Sequence, residues 1–189
     1  MDRKKEEEAI VLDFLPNGYP FDSKPIHLKT PIAQALGKSN FTLLEVVPRK
    51  GVFLQPFEEV YIGEAKRDKI HHINGKIPTS KLTQTAKSEL NHAIEEIVKK
   101  QEPRFVEFFN KAQPVSTRMH VLEMLPGVGK KHMWEIIEER KAEPFKDFND
   151  MKARVKLMPD PIKTIVNRIV AEMDGREKHF LFVDRGGRD

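Results

Sequence analysis

The chain has 189 residues, no cysteine and a third of its residues charged, with 33 Lys and Arg against 29 Asp and Glu for a formal charge of +4. Disulfides and cysteine-ligated zinc are therefore excluded, and no apolar run approaches the roughly 20 residues that a membrane-spanning helix needs. Residues 1–8 are too charged for a secretory signal, so a cytoplasmic protein without membrane association is expected, and the small positive excess permits an anionic partner without demanding one.

The N-terminal half reads as β-rich. Ala9 to Phe14 and Phe41 to Val47 are strand-like apolar runs, Pro48-Arg49-Lys50-Gly51 is a turn, and Val52 to Leu54 begins a return strand. Between the first two runs, Thr30 to Gly37 reads as a loop or short helix. Glu59 to Glu64 alternates in character, and Asn74-Gly75 after Ile70 to Ile73 is a two-residue hairpin signal. Short strands joined by turns suggest a small barrel of the OB-like kind, a fold that often binds oligonucleotides. Phe41, Phe53, Phe57 and Tyr61 are its candidate base-stacking aromatics, although aromatics in such strands ordinarily serve the core. Lys66, Arg67, Lys69 and Lys76 gather on one short stretch and form a candidate phosphate contact. His71 and His72 are adjacent, which sends them to opposite faces of a strand, so they do not form a metal site.

The chain then turns helical. Thr79 or Ser80 can cap a helix running to about Lys99, with Leu82, Ala86, Leu90, Ile94 and Ile97 as its apolar stripe. Glu102-Pro103 restarts a helix bearing Phe105, Phe108 and Phe109, and Gln113-Pro114 breaks it. These signals divide the chain into a barrel-like domain with a trailing helix over 1–100, an all-α domain over 101–175, and a strand and tail over 176–189.

The second domain holds the motif richest in chemistry, Leu122-Glu-Met-Leu-Pro-Gly-Val-Gly-Lys-Lys131. Leu122 and Leu125 belong to an arriving helix, while Met133, Trp134, Ile136 and Ile137 give the departing helix its buried stripe. Gly127 and Gly129 form the turn between them. The first N–H groups of a helix have no intrahelical acceptor, and the helix dipole adds to their pull on an anion. Lys130 and Lys131 stand where a bound phosphate would need counter-charge. Leu125 to Gly129 resembles the helix-hairpin-helix signature, whose backbone amides hold nucleic-acid phosphates without reading bases. That resemblance assigns phosphate contact to Gly127, Val128 and Gly129, with Lys130 or Lys131 as electrostatic partner. The structural alternative is a tight helix–helix corner with solvated lysines.

Downstream, Asp147 or Asn149 can cap a helix carrying Met151 and Val155, Leu157 to Pro161 breaks it, and a last helix presents Ile162, Ile165, Val166 and Ile169 on one face. This order resembles a second copy, making Thr117 to Met173 similar to a tandem helix-hairpin-helix unit. Pro161 removes a donor and Asp160 would repel phosphate, so only the first copy is competent for that contact. His179 to Val183 reads as one more strand, expected to return to the N-terminal sheet.

Motifs for catalysis are lacking. There is no phosphate-binding Gly-rich loop with its lysine, no zinc-protease helix and no nucleophile elbow. Asp147 does not match the catalytic aspartate of helix-hairpin-helix glycosylases and is better explained as a cap. No catalytic residue, metal or cofactor is assigned. Over nearly its full length the chain is similar to a small uncharacterised archaeal family associated with nucleic-acid or nucleotide binding, which implies an OB-like first domain and a helix-hairpin-helix second domain. The expected function is sequence-independent binding of DNA or RNA. The alternatives are a protein-interaction module in a translation or transcription assembly, and a nucleotide-binding or phosphodiesterase activity.

Overall fold

In the computed structural model of the chain, which describes residues 5–185, five strands form one antiparallel sheet. They are β1 (Glu8–Leu15), β2 (Ile32–Gly37), β3 (Leu43–Pro48), β4 (Glu59–Tyr61) and β5 (Ile70–Lys76), in the order β4-β1-β2-β3-β5. The first three are a meander, with Val11 opposite Ala35 and Ala35 opposite Leu44; β4 pairs with β1, and β5 with β3. β4 and β5 stand at the two edges, so the sheet is a curled half-barrel where a small OB-like barrel was expected. Five helices follow, α1 (Gln84–Lys100), α2 (Glu102–Lys111), α3 (Lys130–Ala142), α4 (Phe148–Arg154) and α5 (Pro161–Met173), giving the α+β class. None is long and apolar enough to cross a membrane. The chain divides into two compact units, residues 1–93 with 171–189, and residues 94–170.

The first unit is built on a core of Ala9, Val11, Ala33, Ala35, Leu44, Val46, Leu54, Val60, Ile62 and Ile70. β2 is the central strand, where a loop or short helix was expected. All six of its residues are buried. A strand covered on both faces shows no alternation, and Ala33-Gln34-Ala35 has little strand propensity, so nothing in the local pattern announces it. Gln34 is fully buried because its amide is fully used: Nε2 donates to the Tyr19 hydroxyl and the Lys81 carbonyl, both at 3.0 Å, and Oε1 accepts the Thr83 N–H at 2.9 Å. The Tyr19 hydroxyl in turn donates to Glu45 at 2.5 Å, and burial together with that carboxylate pushes its pKa up to about 12.

Three further expectations change in this unit. The return strand at Val52 to Leu54 does not form; Val52 closes a turn onto the Arg49 carbonyl, and Leu54 reaches the core from irregular chain. Asn74-Gly75 is not a hairpin turn but a bulge inside β5, with Gly75 opposite Glu45 and Ile73 opposite Val46. Gly75 tolerates the required φ of +153°, while the Asn74 side chain donates to Glu45 at 2.7 Å. A second register shift leaves His71 between the pairs Val47–His72 and Pro48–Ile70. The two histidine rings consequently meet, Nδ1 to Nδ1 at 2.7 Å, instead of lying on opposite faces.

α1 begins later than expected because its cap is Thr83, whose Oγ1 accepts the Ala86 N–H at 3.1 Å; Thr79–Lys81 is a separate single turn. In the second unit, the arriving helix of the glycine motif shrinks to a single 3₁₀ turn, Val121–Met124, preceded by a small hairpin of β6 (Pro114–Ser116) and β7 (Met119–His120) that was not anticipated. α2 buries Phe105, Val106 and Phe109. Asn110 and Phe145 exchange two hydrogen bonds of 3.0 and 2.8 Å, and the Phe148 N–H donates to Glu102 at 2.7 Å, so the connector before α4 is pinned to α2. Asp147 caps α4 through the Asp150 N–H at 2.7 Å, as its sequence position suggested.

Residues 179–183 do not form the strand expected of them. The segment is held by a carboxylate instead: Glu172, 1 % exposed, accepts the N–H groups of Leu181, Phe182 and Val183 at 2.8–3.0 Å, and the Asp184 N–H donates to the Asn40 carbonyl at 3.2 Å. Replacing Glu172 by Ala strands three donors. Amide hydrogen exchange at Leu181 to Val183 should accelerate toward unprotected rates, and stability should fall by about 1–3 kcal/mol.

Candidate nucleic-acid interface

The glycine motif is a turn locked from inside. Leu122, Leu125 and Val128 are buried, and the chain between them is closed by successive bonds from the Leu125 N–H to the Leu122 carbonyl, 3.2 Å, and from the Val128 N–H to the Leu125 carbonyl, 3.1 Å. Val128 thus has both its side chain and its amide engaged in the fold. Of the three residues assigned to phosphate contact, it is the one the turn itself consumes. Gly127 has φ +79°, and a Cβ there would stand 3.1 Å from Pro159 Cγ, so its glycine is required by backbone and by packing. Met124, just before the turn, gives its carbonyl to Arg168 Nη1 at 2.8 Å, a guanidinium only 2 % exposed on α5.

Gly129 is different. Its backbone is extended, at φ −88° and ψ −175°, and a Cβ there would meet nothing within 4 Å. Neither conformation nor packing calls for glycine at this position. It is the N-cap of α3 without a side chain to cap it, and the Met133 N–H makes the first helical bond back to its carbonyl at 3.0 Å. The amides of Gly129, Lys130 and Lys131, on exposed residues, therefore have no intrahelical acceptor. Lys130 and Lys131 are exposed, and neither is ion-paired to a described residue.

The matching position in the second half behaves oppositely. Asp160 Oδ1 accepts the N–H groups of Ile162 at 2.9 Å and Lys163 at 3.2 Å, and Lys152 donates to its other oxygen at 3.1 Å. Burial pushes the Asp160 carboxyl up, but these bonds outweigh it and hold the pKa below the ordinary value. A carboxylate already occupies the anion position at the start of α5. The left-handed residue of that turn is Leu157, at φ +55° and 88 % exposed, where the first turn has Gly127.

The basic stretch in the first unit is partly spent on internal contacts. Lys69 is paired with Glu58, Lys76 lies 3.6 Å from Asp184, and Arg67 Nε donates to the Gly63 carbonyl at 2.7 Å; Lys66 is exposed. Arg67 and Lys76 line a cavity of about 660 Å³, but Glu6, Glu7 and Glu64 line it as well. Among the candidate stacking residues, Phe41 is core, Phe57 packs edge-on against His92, Tyr61 is exposed and takes the Ala65 N–H on its hydroxyl, and Phe53 is exposed with an edge contact to Phe14. Among the described residues no group of three or more His, Asp or Glu is placed to hold a metal ion.

One feature of the site escaped the sequence pattern. α3 buries Met133 and Ile136, but Trp134 is 58 % exposed. Lys130, Trp134 and Ile137 recur at helical spacing on their own face, which with the β6–β7 hairpin lines a groove of about 980 Å³. His120 closes the inner end: its Nδ1 accepts the Leu122 N–H at 3.1 Å, while Glu123 accepts the His120 N–H at 3.1 Å, a reciprocal cap on the 3₁₀ turn. Burial, then the neighbouring Arg140 guanidinium, hold the His120 pKa below its ordinary value of 6.5, with Glu123 opposing.

Two outcomes follow from this geometry. Gly127→Ala should destabilise by about 1–2 kcal/mol, read from denaturant unfolding, because a left-handed backbone penalises any Cβ and Pro159 leaves little room for one. For His120, the unfolded chain takes up a proton near pH 6.5 while the folded protein resists it, so its contribution to stability is complete above that value and is lost as pH falls below it. His120→Asn keeps a capping acceptor without a titrating ring, and should flatten the stability profile below pH 6.5 relative to wild type.

Residues 5–184 match the model of a family described as a protein of unknown function, DUF655. The uncharacterized protein MJ0038 of Methanocaldococcus jannaschii is 47 % identical over 183 residues, covering 96 % of this chain and 81 % of that protein. The crystal structure of Af1531 from Archaeoglobus fulgidus, described as a DUF655 family model, is 48 % identical with a TM-score of 0.89, covering 95 % of this chain and all of the other. With its whole described fold inside these matches, the chain belongs to the DUF655 family.

Proposed function

We propose that this protein binds nucleic acid through backbone phosphates, independently of base sequence, at the start of α3. The observation that carries this reading is Gly129. It is a glycine that neither φ nor packing explains, at a helix N-terminus without a side-chain cap and followed by two lysines with no ion pair among the described residues. A missing Cβ there lets a phosphate approach the Gly129, Lys130 and Lys131 amides closely. In this reading residues 121–142 and 148–173 are two helix-hairpin-helix copies, of which the second has exchanged its ligand for Asp160 and serves to brace the first. The half-barrel is the counterpart of an OB-like domain, and Lys66, Arg67, Lys69 and Lys76 form its secondary contact, weakened by the carboxylates that Lys69 and Lys76 already hold.

A second reading, a protein-interaction module, draws on a different observation. Phe21, Ile26 and Leu28 are exposed on the long loop between β1 and β2, where apolar side chains in water favour a protein surface. Retention of a partner after nuclease treatment, with no affinity for bare oligonucleotides, would favour it.

Phosphate contacts carry no base information, so affinity should vary little with sequence and fall with salt at a log–log slope of about 3–4 for some four contacts. Lys130→Ala with Lys131→Ala should reduce that slope by about 1–2 and weaken binding evenly across sequences. The sharper test is Gly129→Ala: folding stability stays within about 1 kcal/mol of wild type while phosphate-dependent affinity drops. Undiminished affinity in Gly129→Ala, or binding insensitive to salt, would overturn the proposal.

A further inference from the structure

We propose that the groove between the β6–β7 hairpin and α3 receives one unpaired nucleobase, making single-stranded nucleic acid the preferred substrate; this rests on the phosphate reading of Gly129 to Lys131. The groove adjoins that site through Lys130, which belongs to both. One helical turn further along the same face stands Trp134, with Ile137 beyond it, and the hairpin contributes Val115 and Met119, which are 46 % and 38 % exposed. An indole left more than half in water on a chain this rich in charge is a surface awaiting a flat apolar ligand.

The charges on the groove identify that ligand. Lys130, Arg118 and Arg140 line it against a single acid, Glu123. Arg140 Nη1 donates to the Phe109 carbonyl and Glu123 accepts the His120 amide, so these two are fixed in place, while Lys130 and Arg118 stand at exposed positions. An aromatic platform with cations beside it matches a base attached to a phosphodiester: the ring stacks on indole and the phosphates stay among lysine, arginine and helix amides. A volume near 980 Å³ accommodates a nucleoside with room for the flanking backbone. An apolar peptide would use the same platform but would leave the cations without a partner. A base inside a duplex is already stacked and paired, and must be flipped out before it can enter, so a blunt duplex meets the phosphate site alone.

Trp134 is the one tryptophan of the chain and reports on its own face. The full-length protein is titrated with an end-labelled single-stranded oligonucleotide and with a blunt duplex of equal length, following label anisotropy and tryptophan emission together. The single strand should quench Trp134 as it binds, and the duplex should raise anisotropy with emission unchanged. Trp134→Ala should weaken single-strand affinity about tenfold or more and leave duplex affinity as it was, with Trp134→Phe recovering part of the loss. Single-strand binding without quenching, or an equal loss for both forms in Trp134→Ala, overturns the base site while the phosphate site stands. No anisotropy change with either form overturns both.

Discussion

The second unit depends on a backbone carbonyl and the cation that reaches it. Met124 ends a 3₁₀ turn only four residues long, too short to hold a rigid corner by its own hydrogen bonds. Arg168 supplies what the turn lacks, donating from a buried guanidinium on α5 to that carbonyl. Pro159 closes from the other side against Gly127. A cation this deeply buried is costly unless its donors are matched, and a carbonyl left unmatched in its place would cost as well. The two halves of the unit therefore hold each other, and the turn that leads into α3 is braced by a helix some forty residues later in the chain.

That dependence explains the asymmetry between two similar turns. Each leads into a helix whose first amides lack intrahelical acceptors. At α5 the protein answers with its own Asp160, whose carboxyl is held ionised by Lys152 and the Ile162 and Lys163 amides. At α3 it answers with Gly129 and two lysines. The same physical need is met once by a covalently attached anion, which stiffens the brace, and once by leaving the position accessible. In the proposed reading, an anion at this helix start would meet a corner already held by Arg168 and Pro159, so little order would need to be created on binding.

Much of this was legible in the residues. Caps, breaks and apolar spacing located α2, α4 and α5, and the Leu-Pro-Gly-Val-Gly string located the turn. What could not be read locally was whatever tertiary contact decided. β2 is a strand because β1 and β3 pair with it on either side within the sheet, where all six of its residues are buried, and its Ala-Gln-Ala centre carries no sign of that. Asn74-Gly75 has the chemistry of a hairpin turn, yet β3 continues opposite it and makes it a bulge. Val128 and Gly129 look equivalent in a motif, and separate only when the Val128 amide is found bonded to Leu125. Helical spacing groups Trp134 with Met133, Ile136 and Ile137 in one buried stripe, but of these α3 buries Met133 and Ile136. The Lys130–Trp134–Ile137 spacing was visible, but its meaning needed the β6–β7 hairpin, which short polar-flanked segments do not announce.

The carboxylates of Glu6 and Glu172 bear on the order in which the molecule is made. Glu6 gathers the amides of Ser39, Asn40 and Thr42, Glu172 gathers those of Leu181 to Val183, and Asp184 then bonds back to Asn40. Early, middle and late segments thus meet in a single unit, while residues 94–170 form the other. During synthesis the interposed unit has all its residues available before the sheet receives its final clasp. The half-barrel must wait, with its loop at Asn40 incompletely held, until chain more than 140 residues downstream emerges. The last contacts of the first unit therefore form only after residues 94–170 have been translated.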